Sequence, residues 1–138
     1  MQVSRGGSGK FAGDRMLASS IGWILIISGI PAAAAGFAAL LSPKTVLGLL
    51  FGSTDTSPVT IFFVRHWGAL LFVVCSLTIY AGLAPDSRTP ILTAAIVEKC
   101  IIFMLVFFGP VKRTTALAAV ATMDGILSVL FAAYLAGL

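Results

Sequence analysis

The chain has 138 residues, 59% hydrophobic and 10% charged, with a mean hydropathy of +1.07. A soluble domain carries about 25% charged residues, so these few charges exclude a water-covered surface and make a bilayer the solvent for most of the chain. The formal charge of +4 comes from nine Lys or Arg against five Asp or Glu; lying mostly at helix ends and loops, it suits orientation signals and anionic headgroups, and no nucleic-acid role is expected.

The segment 1–15, MQVSRGGSGKFAGDR, is polar and glycine-rich and reads as a disordered tail ahead of a single domain at 16–138. Four apolar runs follow, at 17–41, 61–83, 91–108 and 115–138. A spanning helix needs about 20 residues, within a range of about 17–25. In lipid the backbone must satisfy its own polar groups, so each run is expected to be helical even where Val and Ile are frequent.

In the first run Ser28, Ala32, Gly36 and Ala39 form a small-residue stripe that lets backbones approach, and Pro31 is expected to kink the helix. The same run carries a competing reading as a cleaved signal peptide, with an apolar core at 21–30 followed by PAAAAG. Its continuation to Leu41 and the presence of Asp14 argue against cleavage. The next connection, 42–60, holds SPKTVLGLLFG, too short to span and suited to an interfacial helix or re-entrant turn, and then the polar loop GSTDTSP.

Pro85 and Pro90 bracket the link APDSRTP between the second and third runs, and GPVKRT joins the third to the fourth. Links this short impose antiparallel neighbours. The expected fold is therefore all-α, an integral membrane four-helix bundle, antiparallel with short loops. Ala118, Ala121, Gly125 and Ser128 give the last helix a second small stripe with Asp124 at its edge, and Tyr80 and Tyr134 are placed at one membrane face. Arg5, Lys10, Arg15 and Arg88 lie on one side against Lys44, Lys112 and Arg113 on the other, which favours a multi-pass plasma-membrane protein with both termini cytoplasmic.

Five ionisable residues fall inside the runs: Arg65, His66, Glu98, Lys99 and Asp124. At 1.5 Å per residue His66 lies about 8 Å deep, Glu98 about 15 Å and Asp124 about 13 Å, all in one half of the bilayer. A charge at a helix centre costs about 2.5–3.5 kcal/mol on the insertion scale, so such residues should face the bundle interior and find partners. The reading expects His66, Glu98 and Asp124 to converge as candidate catalytic acid–base groups. Arg65, Trp67 and Lys99 are the candidate substrate or counter-ion residues, with Arg65 and Lys99 able to reach an interface through their stems. Burial raises a carboxylate pKa and an adjacent cation lowers it, a balance that can leave a proton shuttle near neutral pH. Simple ion pairing that fixes helix register explains the same residues without catalysis. Cys75 and Cys100 read as buried free thiols, no spacing points to a metal, GGSGK at 6–10 lacks the spacing of a phosphate loop, and no cofactor is identified.

VRHWGALL at 64–71, APDSRTPILTAAIVEK at 84–99 and TMDG at 122–125 together resemble the small four-helix bacterial membrane proteins of the DoxX-like and related families. The resemblance implies a four-helix bundle in a bacterial-type plasma membrane and, for some relatives, quinone-linked redox chemistry. A fainter likeness is to sterol-isomerase-type enzymes, which place acidic residues and a histidine in a bundle pocket. The residues thus leave two main expectations. One is an accessory or scaffold subunit working with membrane-protein partners or further copies of itself. The other is a membrane enzyme acting on a lipid, isoprenoid or quinone. A proton pathway is the least supported, because the half of the membrane holding Tyr80 and Tyr134 offers little beyond hydroxyls such as Ser20, Ser76 and Thr78.

Overall fold

The computed structural model describes residues 8–138, with side chains from Ser19 onward. Its order is α1 (Ser8–Leu41), a short α2 (Pro43–Val46) that runs on as a π-helical turn (Leu47–Phe51), α3 (Pro58–Leu83), α4 (Arg88–Phe108) and α5 (Thr115–Leu135). No strand occurs among the described residues. Four helical segments are long and apolar enough to cross a membrane: Ser19–Leu41, Pro58–Leu83, Pro85–Phe108 and Thr115–Leu135. Their outward faces carry Trp23, Phe62, Leu83, Phe108 and Val129, all well exposed, an exterior matched to hydrocarbon.

The boundaries follow local chemistry. Pro58 opens α3 at a position where a missing N–H costs nothing, and the Ser57 hydroxyl accepts from the Thr60 N–H. Thr114 caps α5 by accepting from the Leu117 N–H. The same hydroxyl donates to the Leu50 carbonyl, tying the α4–α5 link to the π turn. Gly52 ends that turn at φ 60°, a left-handed conformation that suits glycine. The helix is continuous through Pro31. It also starts at Ser8, so residues 8–15 belong to α1 rather than to a disordered tail, while 1–7 lie outside the described residues.

The helices associate as two antiparallel pairs. α1 packs along α3 far more extensively than any other two elements meet, α4 packs on α5, and α3 bridges to α4. The first pair is set by glycines seven residues apart. A Cβ on Gly36 would sit 2.8 Å from the Gly68 carbonyl oxygen, and one on Gly22 3.0 Å from the Gly82 oxygen. Between them, a Cβ on Gly29 would lie 3.2 Å from the Cys75 oxygen and 2.6 Å from the Ile79 side chain. This places Gly22, Gly29 and Gly36 opposite Gly82, Cys75 and Gly68 in one antiparallel register, each glycine hydrogen facing a carbonyl as in a weak Cα–H···O contact. The expected stripe on α1 is corrected accordingly. Gly36 and Ala39 are buried but Ser28 and Ala32 are only half-buried, and the contact line turns through Gly29 and Ala33.

At one end of the assembly all four long helices share a core. Ile21 and Leu25 of α1, Ala81 of α3, Leu92 and Ala95 of α4 and Phe131 of α5 pack as one cluster. Arg88 closes this end. Its Nε donates to the Ala81 carbonyl at 2.9 Å, Nη2 to the Gly82 carbonyl and Nη1 to the Tyr134 hydroxyl, both at 3.3 Å. A cation is favourable at the C-terminus of α3, where carbonyls lack helical partners.

Candidate functional site

Lys99 occupies the middle of the buried stripe of α4, on the line through Leu92, Ala95 and Val106. Asp124 occupies the corresponding line of α5, through Leu117, Ala121, Ser128 and Phe131. Residues three and four apart share a helix face, so each chain's pattern turns its charge toward the other helix. The two meet as an ion pair, Lys99 Nζ to Asp124 Oδ1 at 2.5 Å, with Lys99 only 5% exposed. Lys99 therefore does not run to an interface by its stem; it is the counter-ion of Asp124. Counted from the starts of their helices the partners lie about 14–17 Å deep, near the middle of the span.

Glu98 is one residue, about 100°, around α4 from Lys99. Its Oε2 lies 4.0 Å from Lys99 Nζ, and that oxygen is buried with no hydrogen-bond partner. Cys75 of α3 is buried within electrostatic range of Lys99, Glu98 and Asp124, whereas Cys100 is exposed, not buried as expected. The Ser128 hydroxyl donates to the Asp124 carbonyl, so it is held within its own helix.

His66 departs from expectation. It is exposed and stacks on Phe62 with ring centroids 6.2 Å apart and planes 6° from parallel. The buried line of α3 is set by Gly68, Cys75 and their heptad partners, and His66 points about 160° away from Gly68 at 100° per residue. Backbone approach of α1 leaves no room for an imidazole on the inner face, so the polarity of His66 does not decide its direction. Arg65 is exposed beside it, and Trp67 is half-buried on the same helix. The acid–base trio is thus not assembled. Glu98, Lys99 and Asp124 come together, while Arg65, His66 and Trp67 do not join them.

Two surface grooves accompany these groups. One, of about 580 Å³, runs between α4 and α5 past Cys100, Phe103, Thr122, Gly125 and Ser128 and is almost wholly apolar. Phe103 leans over Gly125, where a Cβ would lie 2.9 Å from its ring. No charged side chain lines it. The other, of about 440 Å³, lies on α3 beside Arg65 and His66. Among the described residues no group of three or more His, Cys, Asp or Glu could hold a metal ion. The Gly22–Gly82 register and the reach of Arg88 to Tyr134 went unread in the sequence; the signal for the register was the seven-residue glycine spacing.

Among the described residues the fold and site define an all-α protein with four helices long and apolar enough to cross a membrane and a Lys–Asp pair buried between two of them. No family model, curated relative or solved structure matches the chain, and the DoxX-like resemblance gains no support from these comparisons.

Proposed function

We propose that this chain is a small multi-pass integral membrane protein that acts as a non-catalytic accessory or scaffold subunit, set in a plasma membrane with both termini cytoplasmic. The observation that carries this reading is the Lys99–Asp124 pair, in which the two charges answer each other and neither lines a groove. A bundle built to handle protons on a substrate would aim its ionisable groups at a cavity, whereas here they fix the register of α4 against α5. The remaining outward faces are broad and apolar and are available to lipid or to protein neighbours in the membrane.

A second reading is favoured by one atom. Glu98 Oε2 is buried without a hydrogen-bond partner, and an unpartnered buried polar atom calls for an explanation, a catalytic role being one. On that reading Glu98 acts as an acid or base toward a lipid, isoprenoid or quinone. The test is lipid mass spectrometry of wild type beside Glu98→Gln, purified in mild detergent, with native-gel mobility of the solubilised membranes run in parallel. The scaffold reading expects identical lipid profiles and one higher-mass assembly that the variant retains. A defined lipid that accompanies wild type and is lost or chemically altered in Glu98→Gln overturns it in favour of catalysis.

A further inference from the structure

Arg65 is, among the described residues, a cation without an internal counter-charge. Among the described residues both ion pairs involve Lys99, with Glu98 and Asp124. Asp55 is occupied by the Ser57 N–H at 2.9 Å and the Thr60 hydroxyl at 2.5 Å, and Asp86 lies beyond the opposite end of α3. The described carboxylates are therefore engaged elsewhere or far away. Yet Arg65 is exposed on an apolar helix about 10 Å in from Pro58, at a depth where an arginine stem can lift its head to the interface.

The surface around it is shaped. Arg65 and His66 share a groove of about 440 Å³ whose other walls include Leu40, Ile61, Phe62 and Ala69. The Phe62 ring runs parallel to the imidazole with centroids 6.2 Å apart, and His66 sets a second polar group beside the guanidinium. Positions 58, 61, 62, 65, 66 and 69 fall on one face of α3, so the charged rim and the apolar trough lie along one line running from the end of the helix toward its middle. The volume is of the size that takes a small ligand or part of a larger one. A cationic rim over an apolar trough, at the edge of a hydrophobic span, complements an amphiphile with an anionic head and a hydrocarbon tail. Lys44, Lys112 and Arg113 lie at the same end of the helices but outside the groove's lining.

We propose that this groove is a binding site for an anionic phospholipid, the Arg65 guanidinium and His66 imidazole holding the headgroup phosphate and one acyl chain lying along Leu40, Ile61 and Ala69. The assignment rests on the bilayer placement of the helices and is independent of whether Glu98 is catalytic.

The experiment is native mass spectrometry of the whole chain in neutral detergent, titrated with phosphatidylglycerol and with phosphatidylcholine of the same acyl chains. Wild type is expected to retain phosphatidylglycerol preferentially. Arg65→Gln is expected to weaken that binding about five-fold, the equivalent of about 1 kcal/mol for one basic residue at an anionic surface. Ala69→Phe, which fills the trough and leaves every charge in place, is expected to weaken it to a similar degree. Lys112→Gln, a basic residue of the same end outside the groove, is expected to leave it unchanged. The proposal is overturned if Arg65→Gln and Ala69→Phe bind as wild type does, if Lys112→Gln loses as much as Arg65→Gln, or if inorganic phosphate displaces the lipid completely. Should Arg65→Gln fail to fold by circular dichroism, the comparison of Ala69→Phe with wild type decides. Retention of wild type in alkali-washed membranes reads the bilayer placement separately.

Discussion

The contact between α1 and α3 makes a quantitative demand on Gly68. A Cβ at that position would lie 2.7 Å from the Gly36 carbonyl oxygen, 2.8 Å from the Ala39 Cβ and 2.8 Å from the Leu40 nitrogen. Two of these neighbours are backbone and the third is a methyl fixed to it, so no side-chain rotation relieves the clash. Ordinary contact begins at 3.4 Å, and the helices must therefore part by about 0.7 Å at this level. Overpacking of this kind costs about 1–3 kcal/mol. Alanine's better helix propensity returns about 1 kcal/mol, leaving Gly68→Ala destabilised by up to about 2 kcal/mol. The control is Gly48→Ala, because a Cβ there has nothing within 4 Å; it is expected to be neutral or slightly stabilising. Reversible unfolding in mixed micelles, followed by circular dichroism, gives the two values. Gly36→Ala combined with Gly68→Ala should cost less than the sum of the single changes, since the second methyl enters a gap the first has opened. If Gly68→Ala is as harmless as Gly48→Ala, the glycine register does not hold the pair together and the packing argument fails.

Three further outcomes are expected. Lys99→Met strands the Asp124 carboxylate and should cost about 3–5 kcal/mol in the same unfolding assay, whereas Lys99→Met with Asp124→Leu should recover most of it; a double variant as unstable as the single would show that the pair is not the source of the loss. Arg88→Gln removes the cation at the α3 C-terminus and its bond to Tyr134, and should speed amide exchange at the last turn of α3 while leaving the α4–α5 ion pair intact. Asp55 is held below its usual 3.8 by the Thr60 hydroxyl and then the Ser57 N–H. A depressed folded value means that its contribution is complete above the unfolded pKa and is lost as pH falls below about 4. Protection of the amides at the start of α3, taken relative to their intrinsic exchange rates at each pH, should therefore fall on acidification in wild type, and Asp55→Asn should flatten that dependence.

The long helices were legible because lipid imposes a crude code: a run of about 20 apolar residues leaves the backbone no alternative to helix. Pro85 and Pro90 marked the break between the second and third runs for an equally simple reason, whereas Pro58, left in the polar loop, is where α3 begins. The meeting of α4 and α5 was half legible. Depth arithmetic put Glu98 and Asp124 at one level, but choosing Lys99 as the partner required its place on the Leu92–Ala95–Val106 line. His66 was misread because polarity was allowed to choose its direction, when the inner face of α3 was already taken by Gly68, Cys75 and Gly82. Reading those three positions against Gly36, Gly29 and Gly22 would have turned His66 outward from sequence alone. Arg88 was treated as a topology marker, and nothing local in the sequence signalled its reach across to Tyr134.

The division into two helix pairs has a consequence for how the chain is made. For a protein inserted while it is being synthesised, α1 and α3 emerge before α4 and α5 and already hold the glycine surfaces through which they meet. α4 then brings Lys99, and its natural neutraliser arrives 25 residues later on α5. Each such charge entering alone resists insertion by about 2.5–3.5 kcal/mol. Pairing with Asp124 lowers the cost of carrying Lys99 into hydrocarbon, so the insertion of α4 is expected to be coupled to that of α5. The first pair meets through its own backbones, whereas the second meets through charges that neither segment answers in full alone.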